Sequence, residues 1–144
     1  MPIEPYLFFN GRCDEAIELY QKALGAEIEM ILRFGESPDP VPEGKLPPGF
    51  ENKVMHCSFK VGDARVMASD GMREDKREFT GFSLSLTAAD SAQAERWFNA
   101  LSEGGKVEMP LGKTFFAEHF GMVDDKFGVS WMIIVPSDFA PPSA

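Results

Sequence analysis

The side chains best suited to acid–base chemistry in this sequence are its two histidines, His56 and His119, and the acid Asp70. Histidine changes its charge near neutral pH, so it can act as a general base or as a weak metal ligand. Each histidine lies in a predicted strand that is followed by a turn, at roughly matching points of the two halves of the chain. The functional interpretation is a pair that lines a binding site, and the alternative is two unrelated residues on polar strand faces.

Asp70 follows a predicted strand in the segment MASDGM and precedes a glycine. An acid in such a place can be a catalytic group in a cleft, but it more often caps a turn through its own backbone. The same argument makes Asp124 and Asp125 turn residues. Asp70 is therefore kept as a catalytic candidate beside a structural alternative.

Apolar spacing in the first half predicts the elements that position these residues. The segment Pro5–Asn10 is short and aromatic, as strands are, and the apolar residues from Ala16 to Leu24 recur at the spacing of an amphipathic helix that ends at Gly25. A further strand follows in GAEIEMILRFGE. The segment VMHCSFKVGDARVMAS then predicts a hairpin with its turn at Gly62-Asp63.

The second half repeats this order. A strand is predicted over Phe79–Ala88, a helix begins at Asp90-Ser91, and KVEMPLG supplies the next strand. The segment Phe120–Val135 forms a closing hairpin around the polar turn DDKFG, with Trp131 in the core.

Three segments are predicted to be irregular. The sixteen residues from Ser37 to Asn52 contain five prolines and two glycines, so they form a surface segment that is either a mobile linker or a lid. The run of charged residues from Met72 to Glu78 predicts a solvated connector, and the tail 137–144 is predicted to be loose chain.

Composition excludes several classes of function. The 144 residues are 44% hydrophobic and 26% charged, as in ordinary globular proteins, and a net charge of −9 disfavours nucleic acid or an anionic membrane as a partner. No signal segment or membrane span is evident, so a cytoplasmic protein is expected. The two cysteines, Cys13 and Cys57, are predicted to be free thiols, and Cys57 to be buried and inert.

The two halves also resemble each other in sequence. AIELYQKALGAEIEM in the first half matches AERWFNALSEGGKVEM in the second, with an aromatic residue in mid-helix and Glu-Met on the following strand. The opening PYLFFNGRCDEAIELYQKALGAE, with GDARVMASDG, TGFSLSL and FGMVDDKFGVSWMI, closely resembles the PhnB-like branch of the vicinal-oxygen-chelate superfamily, which includes glyoxalase I and bleomycin resistance proteins.

That resemblance implies an α+β fold of one domain. Two βαβββ modules, about 1–78 and 79–136, would form a curved mixed β-sheet cleft with the helices on its convex side. The resemblance also implies a homodimer that binds a small molecule.

Metalloenzymes of the superfamily place His or Glu at four cleft positions. Carried onto this sequence, these fall near Pro5, Ala68, Gly81 or Phe82, and Met132, none of which offers a His or carboxylate ligand. Glu4 and Asp70 lie one or two residues away, and a shift of one residue turns a side chain to the other face. The sequence therefore predicts no metal and no other cofactor.

The leading hypothesis is a metal-independent protein that binds a small, partly apolar ligand. Its candidate ligand-binding residues are Phe82, Phe115, Phe116 and Met132. One alternative is an isomerase or lyase that uses His56, His119 or Asp70 as general base, or an atypical metalloenzyme. Another is a protein that acts by association alone. Because no glycine-rich loop joins a strand to a helix, S-adenosylmethionine methyl transfer is not supported.

Overall fold

Each half of the chain folds into a strand, a helix and three further strands. The computed structural model describes residues 2–39, 44–72 and 78–138, and the chain divides into two units, residues 1–77 and 78–144. Each unit has its own four-stranded mixed sheet and its own long helix. The α+β class and the repeated βαβββ order are thus confirmed.

The first unit has strand order β1-β4-β3-β2, in which β1 and β4 are parallel and the other neighbours are antiparallel. Its elements are β1 (Tyr6–Phe8), α1 (Cys13–Leu24), β2 (Glu27–Arg33), β3 (Val54–Val61) and β4 (Ala64–Ser69).

The second unit has the equivalent order β5-β8-β7-β6, in which β5 and β8 are parallel. Its elements are β5 (Leu84–Thr87), α2 (Ser91–Ser102), β6 (Lys106–Gly112), β7 (Ala117–Asp124) and β8 (Ser130–Pro136).

Both helices begin and end where the local sequence predicts. α1 ends at Gly25, which adopts the left-handed conformation (φ 68°) that only glycine takes at little cost. α2 begins after Asp90, whose carboxylate accepts a hydrogen bond from the backbone N–H of Gln93 at 2.8 Å.

Each helix packs on one face of the sheet of its own unit. In the first unit the Tyr20 ring lies 5.9 Å from the Phe59 ring, and Cys57 and Ala68 are fully buried on the same side. In the second unit Phe98 packs against Gly121, and Trp131 is buried in the core as expected.

We call the opposite face of each sheet its helix-free face, because no helix of the same unit packs against it among the described residues. Because strand residues alternate between faces, the registers assign its members. On the first sheet they include Tyr6, Phe8, His56, Ser58, Arg65 and Met67. On the second sheet they include Ser85, Phe120, Met122, Ser130 and Met132.

The internal repeat extends to an irregularity in both sheets. The pairing of β2 with β3 skips Glu29, between Ile28 and Met30, and the pairing of β6 with β7 skips Glu108, between Val107 and Met109. Each glutamate is the extra residue of a β-bulge. The Glu-Met match in the sequence therefore marks the same backbone feature in both units.

Some segments differ from expectation or lie outside the described residues. The predicted strand over Phe79–Ala88 is only Leu84–Thr87, so Phe82 precedes it and is 46% exposed. The end of the proline-rich segment forms a single 3-10 turn, Phe50–Asn52, in which Phe50 is buried. Residues 40–43, residues 73–77 of the charge run and residues 139–144 of the tail lie outside the described chain.

No helix among the residues that the structure describes is long and apolar enough to cross a membrane.

Candidate functional site

An aromatic cluster lies on the helix-free face of the first sheet. The hydroxyl of Tyr6 lies 2.8 Å from Nδ1 of His56, within hydrogen-bond distance. The Tyr6 ring centroid is 5.1 Å from that of Phe8 and 5.5 Å from that of His56. Tyr6 and Phe8 remain 39% and 40% exposed, so the cluster offers an accessible ring surface with a polar group at its edge.

Strand β1 positions this cluster by simple alternation. Leu7 is buried on the helix side, which turns Tyr6 and Phe8 to the helix-free face. Tyr6 pairs with Met67 on β4, and Met67 pairs with Ser58 on β3, so a thioether and a hydroxyl adjoin the rings. Burial raises the pKa of Tyr6. The hydroxyl either donates to Nδ1 of His56 or accepts from it, according to the tautomer of the imidazole.

Charged side chains border the cluster along β4. Arg65 donates from Nε to Oε1 of Glu29 at 2.7 Å and lies 3.6 Å from Glu4. The hydrogen bond from Arg65 lowers the pKa of Glu29. The guanidinium is thus engaged by two carboxylates on this face.

The helix-free face of the second sheet is more apolar. Met132 pairs with Met122 on one side and with Ser85 on the other, and Met122 pairs with Met109 on the outermost strand. The side chain of Ser130 lies 2.6 Å from that of Ser83. Three thioethers in a row give an adaptable apolar surface.

Of the phenylalanines predicted to bind ligand, two lie in the connection between β6 and β7. The Phe116 ring lies 5.2 Å from Phe115 and 5.2 Å from Phe120, in edge-on contacts. Phe120 is buried, whereas Phe115 is 76% exposed. Core packing accounts for Phe120 but not for Phe115.

The registers identify equivalent positions in the two units. Ala68 pairs with both Leu7 and Cys57, as Ile133 pairs with both Leu86 and Gly121. The residues that precede these on their strands are therefore equivalent as well: Tyr6 corresponds to Ser85, Met67 to Met132, and His56 to Phe120. The tyrosine–histidine pair therefore belongs to the first unit alone.

The two histidines lie on corresponding strands, β3 and β7, but on opposite faces. His119 and Gly121 are paired with β8 in continuous register, so by alternation His119 shares the face of Gly121, toward α2. Its Nδ1 atom is buried and has no hydrogen-bond partner. His56 and His119 therefore lie at roughly matching points of the two units, as predicted, but they do not point to corresponding faces of the two sheets.

Asp70 has the contacts of a structural carboxylate. It is fully buried, and its Oδ1 accepts hydrogen bonds from the backbone N–H groups of Gly11 at 2.9 Å and Cys13 at 2.7 Å. Its Oδ2 accepts from the N–H of Val54 at 2.9 Å. It caps the start of α1 from the end of β4. This role is structural, but it differs from the predicted alternative because the capped backbone is not that of its own turn.

The positions at which the superfamily resemblance implies metal ligands do not fit a metal in this chain. Ala68 faces the helix side and is buried, Pro5 and Phe82 lie outside the strands, and Met132 has only a thioether to offer. Within 2–39, 44–72 and 78–138, no three His, Cys, Asp or Glu side chains come together as a metal site would require.

The sequence hypotheses did not include Tyr6 or Phe8 as site residues. The signal was present in the alternation of YLF, because a buried Leu7 forces both neighbours onto one face. The partnership of Tyr6 with His56, fifty residues later, depends on the parallel pairing of β1 with β4.

Comparison with known proteins places these features in a family. Residues 2–134 match the model of the 3-demethylubiquinone-9 3-methyltransferase family. Protein YjdN of Escherichia coli K12 is 39% identical over 140 residues, covering 94% of this chain and 95% of YjdN.

Solved structures agree. Protein PA1353 of Pseudomonas aeruginosa has 45% identity and a TM-score of 0.83, over 96% of this chain and 99% of its own. A PhnB protein of Bacillus cereus, named after the same methyltransferase, has 30% identity and a TM-score of 0.77, over 94% and 99%. A glyoxalase/bleomycin resistance/dioxygenase domain from Frankia, at 10% identity and a TM-score of 0.70 over 95% and 98%, shares the fold alone.

Proposed function

We propose a function from the family of the protein: the chain belongs to the 3-demethylubiquinone-9 3-methyltransferase family, which is the PhnB-like branch of the glyoxalase/bleomycin resistance superfamily. The proposed function is the binding of a small, partly apolar ligand without a metal. The binding surface is the helix-free face of the first sheet. The observation that carries the proposal is the exposed ring pair of Tyr6 and Phe8 with the hydroxyl–imidazole contact to His56 at its edge.

The chemistry of this cluster suits a ligand with an unsaturated or aromatic part and one polar group. The ring faces supply apolar and stacking contacts, and the Tyr6–His56 pair supplies a donor and an acceptor beside them. Met67 lies next to Tyr6 and adds a polarisable surface that adapts to ligand shape. Such a mixture of apolar walls and few polar groups is typical of small-molecule sites.

The helix-free face of the second sheet also offers an apolar surface. Met122 and Met132 adjoin one another there, and Phe115 and Phe116 lie on the connection that leads to β7. These side chains, with Phe82, are the secondary candidates for ligand contact.

The methyl transfer in the name of the family is not carried over to this chain. A dinucleotide or related cofactor of the Rossmann type is held at the free N–H groups of a helix start. Here the start of α1 is occupied by the Asp70 carboxylate, and the start of α2 by that of Asp90. Both helix starts are thus satisfied by side chains of the protein itself.

A fragment titration followed by ¹⁵N–¹H correlation spectra tests the proposal. Small aromatic alcohols, ketones and carboxylates are added singly, and saturating shift changes are expected on β1, β3 and β4. Tyr6→Ala is expected to weaken binding about tenfold through loss of the ring, and Tyr6→Phe by less, because only the hydroxyl is lost. Val107→Ala, at an exposed apolar position of β6 outside both sets of candidate residues, serves as the control on the second unit. Shift changes confined to α1 and α2 would contradict the proposal.

A second candidate function is catalysis by His56. Its Nδ1 contact with the Tyr6 hydroxyl fixes the ring, as general bases require. A screen of 2-oxo, dihydroxy and phosphonate compounds for isomerase or lyase turnover tests this candidate. Turnover that is lost in His56→Asn and kept in His119→Asn and Asp70→Asn would support it, and turnover unchanged in His56→Asn would exclude that role.

We also propose that the protein is a homodimer. The superfamily resemblance supports this, as do large apolar side chains that stay exposed, among them Ile3 and Phe82. Sedimentation velocity at micromolar concentration tests it, and a monomer would contradict it.

A further inference from the structure

We propose that Cys13 and Cys57 are a site of oxidative modification, at which a peroxide converts two thiols into one intramolecular disulfide. Both cysteines are free and fully buried, and their Sγ atoms lie 3.8 Å apart although the residues are 44 positions apart in the sequence. The proposal does not depend on the ligand-binding function.

The two thiols come from elements that pack directly on each other. Cys13 is the first residue of α1, and Cys57 lies in the middle of β3 on the face toward that helix. A disulfide bond is about 2.05 Å long, so the sulfurs have to approach by roughly 1.8 Å. Rotation about the side-chain bonds of the two cysteines is the movement that the proposal requires.

Asp70 holds both backbones in place before any oxidation. Its carboxylate accepts from the N–H of Cys13 at the helix start and from the N–H of Val54 on β3. The backbone N–H of Asp70 in turn donates to the carbonyl of Val54 at 2.8 Å. The helix start and the strand are therefore fixed to each other, which favours reaction between these two thiols over reaction with other molecules.

The second unit shows that the fold does not need this pair. At the position equivalent to Cys57 it has Gly121, and the ring of Phe98 fills the space in front of it. The same junction of helix and sheet is thus packed by an aromatic ring in one unit and by two sulfurs in the other. The thiols of the first unit are an addition to the common architecture.

The pair also has a defined order of reaction. The hydrogen bond from Cys13 lowers the pKa of Cys57, and the same hydrogen bond, together with burial, raises the pKa of Cys13. Cys57 is therefore the thiol that ionises first, and the thiolate is the form that reacts.

The oxidation balances with hydrogen peroxide as the oxidant. The Cys57 thiolate attacks one oxygen, the O–O bond breaks, and hydroxide leaves and takes up the proton released by Cys57 to form water. The sulfur of Cys13 then attacks the sulfur of the Cys57 sulfenic acid, the S–O bond breaks, and a second water carries away the Cys13 proton. Two thiols lose two electrons, and one peroxide becomes two waters.

The test uses the full-length reduced protein under native conditions. The protein is treated with hydrogen peroxide, denatured in excess iodoacetamide, and weighed intact by mass spectrometry. We expect a loss of about 2 Da, the mass of two hydrogens, without alkylation, and a crosslinked peptide containing Cys13 and Cys57. Cys13→Ser and Cys57→Ser are each expected to abolish the crosslink.

Thermal unfolding of the wild-type protein tests for the intramolecular disulfide even if a serine variant fails to fold. Closing a loop of this length is expected to raise the Tm of the oxidised protein by on the order of 10 °C, and dithiothreitol should reverse the rise. Three results would overturn the proposal: thiols that stay reduced in the folded protein, oxygen addition without crosslinking, or crosslinks between molecules.

Discussion

The indole of Trp131 donates a hydrogen bond from Nε1 to Oδ2 of Asp125 at 2.9 Å, and both residues are buried. The other carboxylate oxygen accepts from the backbone N–H groups of Phe127 and Val129 at 2.9 and 3.1 Å. One side chain therefore closes the turn between β7 and β8 and fixes the core tryptophan of the second unit.

Asp125→Asn is expected to lower the free energy of unfolding by about 2–3 kcal/mol. An amide has only one oxygen, so either the indole or the turn N–H groups would lose their acceptor in a buried place. Urea denaturation followed by tryptophan fluorescence measures the loss. A change below about 0.5 kcal/mol would show that the carboxylate contributes little to the turn.

Asp70→Asn is expected to cost about 3 kcal/mol of stability, because three backbone N–H groups lose part of a buried, charged acceptor. Asp90→Asn is the matched control, since asparagine caps a helix start as well as aspartate does and Asp90 is exposed. Chemical denaturation of both variants tests the difference. Equal stabilities of the two variants would contradict the buried-cap assignment.

Gly121→Ala is expected to destabilise the protein by about 1–3 kcal/mol through overpacking. An added Cβ would lie 2.8 Å from Cε2 of Phe98 and 3.1 Å from the backbone N of Leu111, so the helix or the strand would have to move. Gly112→Ala, on the neighbouring strand, meets nothing closer than 4.0 Å and is the control. A midpoint of unfolding shared by the two variants would mean that the contact with Phe98 relaxes freely.

The contribution of Asp124 to the stability of the folded protein changes with pH in the opposite direction to that of a salt-bridged acid. Burial, followed by its hydrogen bond and charge repulsion with Glu108, raises the pKa of Asp124. The folded state thus binds its proton to a higher pH than the unfolded chain, and this group's contribution to stability falls as the pH rises above the ordinary value of about 4.

Asp124→Asn is therefore expected to stabilise the protein by about 0.5 kcal/mol at pH 7, as is usual for partly exposed charges, and to have no effect near pH 3. Denaturant midpoints of variant and wild type across this range measure it. Asp63→Asn, an exposed turn residue on the first unit, is the control for the loss of one charge. A variant less stable than the wild type at pH 7 would reverse the assigned sign.

The helices, the strands and their repeated order could be predicted because their signals are local, whereas the two-module fold was implied by the resemblance to PhnB-like proteins. The helix that ends at Gly25, the start at Asp90 and the alternation of Val129, Trp131, Ile133 and Val135 each lie within one element. Because the two halves repeat, the order of helices and strands predicted for one half also supported the order predicted for the other.

The candidate site could be predicted only in part, because its geometry depends on pairing between distant strands. His119 lies one position before Phe120, the residue equivalent to His56, and this offset is visible only when the registers of both sheets are known. The three donors to Asp70 come from residues 11, 13 and 54, and the neighbours of Tyr6 come from β3 and β4. These contacts exist only once each sheet is assembled.

The paired bulges at Glu29 and Glu108 have a consequence for behaviour in concentrated solution. β2 and β6 are the outermost strands of their sheets on one side, so their free backbone groups could template the growth of fibrils. The extra residue breaks the hydrogen-bonding repeat of each strand, and its carboxylate places a charge beside it. Fibril growth by strand addition is therefore disfavoured at both edges, although Met30 and Met109 are exposed there.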